Sequence, residues 1–209
     1  MSFDALPKFH TPTRLMVMLS GSGTTLDNLI AHIKSGKLDA AIPVLIASRE
    51  CLGAHKARDA GIETHIQPAK QSSAGAGALI DDLCDQHAID LVVLAGYLKL
   101  VPITDRVRHR VVNIHPSLLP SFGGKGMHGM RVHQAVVEAA RQGKVSESGC
   151  TVHFADDEYD TGSTIVQLRC PVEPTDDAQT LASRVFELER RAYPQAIKKL
   201  IERNALCNA

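Results

Sequence analysis

Apolar residues in this chain fall into short unbroken runs separated by stretches with helical spacing. Arg14–Leu19 (apolar from Leu15 on), Ala41–Ala47 and Asp90–Gly96 are such runs. They fit strands buried on both faces of a parallel sheet. Between them, Leu26–Lys34 puts Leu26, Leu29, Ile30 and Ile33 on one helical face, and Gly36 closes that helix. A helix is expected near Leu52–Ala60, a short strand at Glu63–Ile66 and a helix over Leu79–Gln86. The stretch Lys70–Gly77 (KQSSAGAG) is small and polar, which predicts a flexible surface connection. Val111–His115 is the next strand.

Strands alternating with helices of this length predict βαβ units: an α/β fold with a mostly parallel twisted sheet flanked by helices. Ligands then sit beyond the carboxyl ends of the strands. The Gly-rich turn after Leu19, the exit at Gly96–Lys99 and the end of the Val111 strand are expected to converge there on one cleft. The last third changes pattern. A Gly-rich loop (Phe122–Gly126) precedes a helix over Met130–Arg141. Cys150–Ala155 and Thr164–Val172 read as an antiparallel addition, and a long C-terminal helix starts near Asp177. Its inner stripe is Leu181, Val185, Leu188, Ala192 and Ala196, with Pro194 expected to kink it. No linker divides the chain, so a loose N-terminal lead (1–13) and a single domain (14–204) are expected.

Chemistry concentrates at the end of the Val111 strand. Residues i and i+2 of a strand share a face, so Asn113 and His115 point one way and Ile114 the other. Pro116 ends the pairing, because it lacks an N–H. An amide donor beside a titratable ring suits oxyanion stabilisation and acid–base work, although a capped strand end with a satisfied histidine has the same pattern. Gly21-Ser22-Gly23-Thr24-Thr25 lies between a strand and a helix start, where free N–H groups and the helix dipole favour an anion. It is not a P-loop, and Leu26 takes the third glycine position of a dinucleotide fingerprint. A tight turn with threonine caps is the plain alternative. Asp160 lies in an acidic loop, where a solvated carboxylate is the default. If it meets His115, its charge favours the imidazolium.

Charge and composition remove several classes. Lys+Arg and Asp+Glu are both 23, leaving no basic field for nucleic acid. No apolar run is long enough to span a membrane, and the N-terminus has no signal-type core. Five scattered cysteines without a C-x-x-C pair suggest reduced thiols and a cytoplasmic location. The 10 histidines invite a metal site, but Cys150 and His153 point to opposite faces of one strand. His128 and His133 do not align on a helix, and no metal is expected. No G-x-S-x-G elbow supports a serine hydrolase.

Asn113-Ile-His115-Pro-Ser-Leu-Leu-Pro120, with Ser20–Thr25 before it and Gly149–His153 and Asp157–Asp160 after it, resembles the folate-dependent formyltransferases. The resemblance runs from about Leu15 to Ile201. It implies the formyltransferase fold, 10-formyltetrahydrofolate as donor without a metal, and the amine of glycinamide ribonucleotide, a purine precursor, as acceptor. A hydrolase of the same donor, transfer to another amine, or a non-catalytic folate- or nucleotide-binding module are the alternatives. A monomer or homodimer acting on small molecules is implied, with no nucleic acid or membrane partner. The family's catalytic residues fall on Asn113, His115 and Asp160, and its phosphate turn on Gly21, Ser22, Gly23, Thr24 and Thr25. Its ribose-holding acid matches Glu189. Folate contacts match Asn113, the strand exit Tyr97, Leu98, Lys99, Leu100 and Val101, and the loop Ala155, Asp156, Asp157, Glu158, Tyr159 and Asp160.

Departures cluster at the phosphate. Thr24-Thr25 replaces the usual Ser-Asn, and Phe186 stands where a polar or basic side chain usually meets the phosphate. The usual Pro-Gly-Leu-His becomes Gly123-Gly-Lys125-Gly-Met-His128, and only Lys70 is near the place of the folate-tail arginine. On this reading Lys125 takes over the lost phosphate contact. Steady-state kinetics of Lys125→Ala should then show a KM increase for the ribonucleotide much larger than for the folate; equal or absent effects contradict it.

Overall fold

Residues 6–208 are described in this computed structural model; residues 1–5 of the expected lead, and Ala209, lie outside them. The chain forms two compact units. One runs up to Asn113 and resumes at Ile197; the other is Ile114–Ala196.

The first unit holds β1 (Thr13–Leu19), α1 (Thr24–Lys34), β2 (Ala40–Ala47), α2 (Leu52–Asp59), β3 (Glu63–Ile66), α3 (Ser73–Gln86) and β4 (Leu91–Leu94). Most of β5 (Val111–His115) belongs to it as well. These strands pair in the order β3-β2-β1-β4-β5, and every pair is parallel. β1 is central: Leu15 to Leu19 are all at most 1% exposed, which is why they read as an unbroken apolar run. The chain leaves β1 towards β2 and β3, then returns to β1's other side with β4 and β5. In such sheets the ligand position lies at that reversal, beyond the carboxyl ends of β1 and β4.

Two expectations change in this unit. The KQSSAGAG stretch is not a free connection, since α3 begins inside it at Ser73. Ser72 caps that helix by accepting from the Gly75 N–H (3.1 Å), and Ala76 and Gly77 are buried. Small residues here permit close approach: a Cβ on Gly77 would lie 3.1 Å from the Thr104 side chain. Nor is the lead loose over the residues described. Asp90, 3% exposed, accepts from the N–H groups of His10 (3.1 Å) and Arg14 (2.8 Å). Asn204 accepts from the Phe9 N–H and donates to the Pro7 carbonyl, each at 2.8 Å.

The second unit contains α4 (Met130–Arg141), β6 (Glu147–Phe154), β7 (Thr164–Pro171) and the first part of α5 (Ala178–Cys207). β6 and β7 pair antiparallel, with Cys150 opposite Leu168, as their sequence pattern predicts. α4 buries Val132, His133, Val136 and Val137 on a stripe of helical spacing. In α5, Leu181, Val185, Ala192 and Ala196 are buried as expected, whereas Leu188 is only part-buried. Pro194 lies within α5, where its missing N–H removes one helical hydrogen bond.

Gly149 lets β6 lie close against β7. A Cβ there would sit 1.9 Å from the Leu168 carbonyl oxygen and 2.7 Å from Leu118. Gly149→Ala should cost about 3 kcal/mol or more, lowering Tm by ~6–12 °C. Gly21→Ala, with nothing within 4 Å of the new Cβ, should shift stability by under ~0.5 kcal/mol. Thermal unfolding followed by circular dichroism checks both; similar shifts would rule out the steric account.

Candidate active site

In the first unit, the carboxyl ends of β1, β2 and β4 are stitched together at Ser20, which is 2% exposed. Its N–H donates to the Gly96 carbonyl (3.1 Å). Its Oγ accepts from the Leu98 N–H (3.0 Å) and the Ser48 hydroxyl (2.7 Å). Its carbonyl accepts from Arg49 Nε (3.2 Å). The turn that follows is thereby fixed at its root. Gly23 caps α1 in a left-handed conformation (φ 75°) and provides no side-chain acceptor. The first N–H groups of α1, at Thr24 and Thr25, therefore have no capping side chain. Gly21 accepts from the Gly53 N–H (2.9 Å), and a Cβ on Gly23 would lie 2.7 Å from Gly53 Cα. Only glycine lets the turn lie this close to α2.

The segment after β4 presents a different surface. Leu98 and Leu100 are 62% and 50% exposed, whereas Val101 is buried. Gln67 Oε1 accepts from the Tyr97 hydroxyl and from Lys99 Nζ (3.1 Å), which orients both side chains. Lys70 is exposed in the turn between β3 and α3.

The second unit brings His115 and Asp160 together, which spacing along the chain could not establish. His115 is 4% exposed at the end of β5. Its Nδ1 lies 3.4 Å from Asp160 Oδ2, and its Nε2 lies 2.8 Å from the Phe122 carbonyl. A carbonyl only accepts, so Nε2 carries the hydrogen. Asp160 Oδ2 also accepts from the Gly124 N–H (2.9 Å), and Oδ1 lies 3.6 Å from Nε2 of the buried His153. Asp160 holds this position in a left-handed conformation (φ 60°). The segment after His115 is held by β6 and β7. Thr151 Oγ1 donates to the Ser117 carbonyl (2.7 Å) and accepts from the Leu119 N–H (3.0 Å). Gln167 donates to Thr151 Oγ1 (3.0 Å) and to the Leu119 carbonyl (3.2 Å).

Beside Asp160 a hollow of about 540 Å³ opens between Leu119–Gly124 and Tyr159–Thr164. In the acidic loop, Asp156 Oδ1 accepts from Thr161 Oγ1 (2.6 Å), and Tyr159 is 42% exposed. Lys125 is exposed in the Gly-rich loop. Among the described residues, no group of three or more His, Cys, Asp or Glu has the arrangement of a metal site.

Electrostatics corrects one expectation. Asp160 does push the His115 pKa upward, but burial outweighs it, and the ring sits below the ordinary histidine range. Loss of hydration is the largest influence, opposed by Asp160 and by the Phe122 carbonyl. For Asp160 the balance goes the other way. Burial raises its pKa, yet His153, His115 and the Gly124 N–H together hold it low. Burial thus favours the neutral imidazole, while the partners of Asp160 favour its carboxylate. Glu189 is part-buried, and desolvation pushes its carboxyl up to about 7.

A family model described as "Formyl transferase" matches residues 13–197. The chain belongs to that formyl transferase family. Its relatives include the "Phosphoribosylglycinamide formyltransferase, chloroplastic" of Vigna unguiculata, 40% identical over 196 residues. That match covers 90% of this chain but 61% of the relative, so the chain spans under two thirds of that protein's length. The "Phosphoribosylglycinamide formyltransferase" of Haemophilus influenzae is 33% identical, covering 90% of this chain and 87% of the relative. Among solved structures, the "glycinamide ribonucleotide transformylase 1" of Symbiobacterium toebii is similar at TM-score 0.79 and 35% identity, over 91% of this chain and 88% of that one. The formyl transferase fold, a mostly parallel sheet with an antiparallel C-terminal pair and a long last helix, agrees with the sequence-based expectation.

Sequence reasoning missed Ser20, Gln67, Thr151 and His153 as positioning groups. Ser20 precedes the residues assigned to the phosphate turn, and His153 enters only as a metal candidate and as part of the family motif. For His115, a folded pKa below the unfolded one means that its contribution to stability is present above about pH 6.5 and lost as pH falls through the folded value. Asp160→Asn removes the charge that raises the ring's pKa, so histidine NMR titration should find the His115 midpoint lower still. An unchanged or higher midpoint would contradict the arrangement.

Proposed function

We propose that the chain transfers a formyl group from 10-formyltetrahydrofolate to the amine of glycinamide ribonucleotide, in de novo purine biosynthesis. The observation that carries this is the pairing of buried His115 with part-buried Asp160 at the end of the strand bearing Asn113, in a chain whose formyl transferase match spans residues 13–197. The names of the relatives supply the acceptor and support the reading.

In this proposal the donor supplies the formyl carbon, and the amine attacks it. A bond from the amine nitrogen forms, the carbonyl oxygen becomes negative, and the bond to the folate nitrogen then breaks. Asn113 donates to the oxyanion. His115, neutral at rest with its hydrogen on Nε2, has its lone pair on Nδ1. Taking up the amine's proton there pairs it with Asp160, and the same proton is available to the departing nitrogen. The Gly21–Thr25 turn and Lys125 bind the phosphate, and Glu189 the ribose. Lys70, Tyr97–Val101 and the Ala155–Asp160 loop bind the folate; the exposed Leu98 and Leu100 suit its apolar parts. Residues 14–204 act as one formyltransferase domain on this reading, since β5 and α5 each run through both units. Five free thiols support a reducing, cytoplasmic setting.

The test is tetrahydrofolate release with and without the ribonucleotide. Release that requires the ribonucleotide is expected; release without it points to a hydrolase, and no release in either case contradicts the proposal. Losing one oxyanion donor costs ~10²–10³-fold. Asn113→Ala should therefore lower kcat by about that factor and leave folate affinity nearly unchanged. An unaltered kcat would remove Asn113 from the mechanism.

A further inference from the structure

We propose that Arg49 is a further cation, besides Lys125, that meets the phosphate of the acceptor at the Gly21–Thr25 turn, an inference that rests on the formyl-transfer reading above. Arg49 lies two residues past the end of β2, in the same unit as the turn. Its Nε donates to the carbonyl of Ser20, the residue that opens the turn (3.2 Å). That carbonyl barely moves, because the Ser20 N–H and Oγ are held by Gly96, Leu98 and Ser48. The guanidinium is therefore anchored by one of its five N–H groups, with the other four on Nη1 and Nη2.

The nearby charges leave those four uncommitted. Glu50, the next residue, is taken by Arg58, at 2.5 and 3.0 Å, and by His55 at 3.4 Å. Asp27, the acid in the first turn of α1, is paired with Lys56 at 2.6 Å. Arg49 makes no ion pair among the described residues and is exposed. A planar fork of donors thus stands at Ser20, the opening of the turn that leads to a helix start whose cap offers no side-chain acceptor. A phosphate there gains the helix N–H groups and a forked guanidinium contact together.

The experiment compares wild type, Arg49→Ala and Arg49→Lys on the ribonucleotide and on its dephosphorylated riboside, the latter as substrate or as competing inhibitor. Arg49→Ala should lose roughly 10- to 100-fold in kcat/KM for the ribonucleotide, mainly through KM, the size expected for a charged hydrogen bond. Arg49→Lys should recover part of it. The riboside and the folate KM should be unaffected. Equal losses on ribonucleotide and riboside would assign Arg49 a structural role through Ser20 and overturn the inference, as would no loss. A wild-type chain inactive on the ribonucleotide overturns the formyl-transfer reading itself. An active wild type with an unchanged Arg49→Ala overturns only the inference.

Discussion

The second unit is arranged around a single part-buried carboxylate. An isolated charge in such a place is costly, and a protein meets that cost with hydrogen bonds and opposite charge or lets the group neutralise. Asp160 does the former. The Gly124 N–H, His153 and His115 together outweigh desolvation, so it stays ionised. Each partner imposes a structural demand. Gly124 ties the Gly-rich loop to the acidic one, His153 fixes the end of β6, and His115 fixes the end of β5. Thr151 and Gln167 then hold the chain between them, so the carboxylate's partners are bound to one another through β6 and β7.

The first unit solves a different problem by similar means. Three parallel strands end side by side, and their last carbonyls and amides need partners where the ladder stops. Ser20 supplies them through its N–H, hydroxyl and carbonyl, serving Gly96, Leu98, Ser48 and Arg49. With those groups satisfied locally, the chain can turn through glycines without a side-chain cap, which leaves the start of α1 open to an anion.

Local features of this molecule were legible in the sequence. The β5 block was readable because strand periodicity and Pro116 act within a few residues, and the unbroken apolar runs report burial on both faces directly. The long-range pairing of Asp160 with His115 was not, since two loops determine it together. KQSSAGAG misled for a definite reason: small residues look flexible, but here they allow Ala76 and Gly77 to be buried behind a Ser72 cap. The ring's charge misled as well. A neighbouring acid can be guessed from sequence, whereas the depth at which both groups are buried cannot, and depth decided the sign.

On the proposed formyl-transfer reading, that sign bears on what the ring would do. An imidazolium formed at rest has no room for the proton that an attacking amine must lose. A ring kept neutral by burial has that room, and it gains proton affinity as negative charge grows beside it, because the new charge adds to that of Asp160. Burial and the carboxylate therefore have separate roles. On that proposal, burial holds the ring ready to accept, and Asp160 makes the accepted proton tolerable in a place that would otherwise reject it.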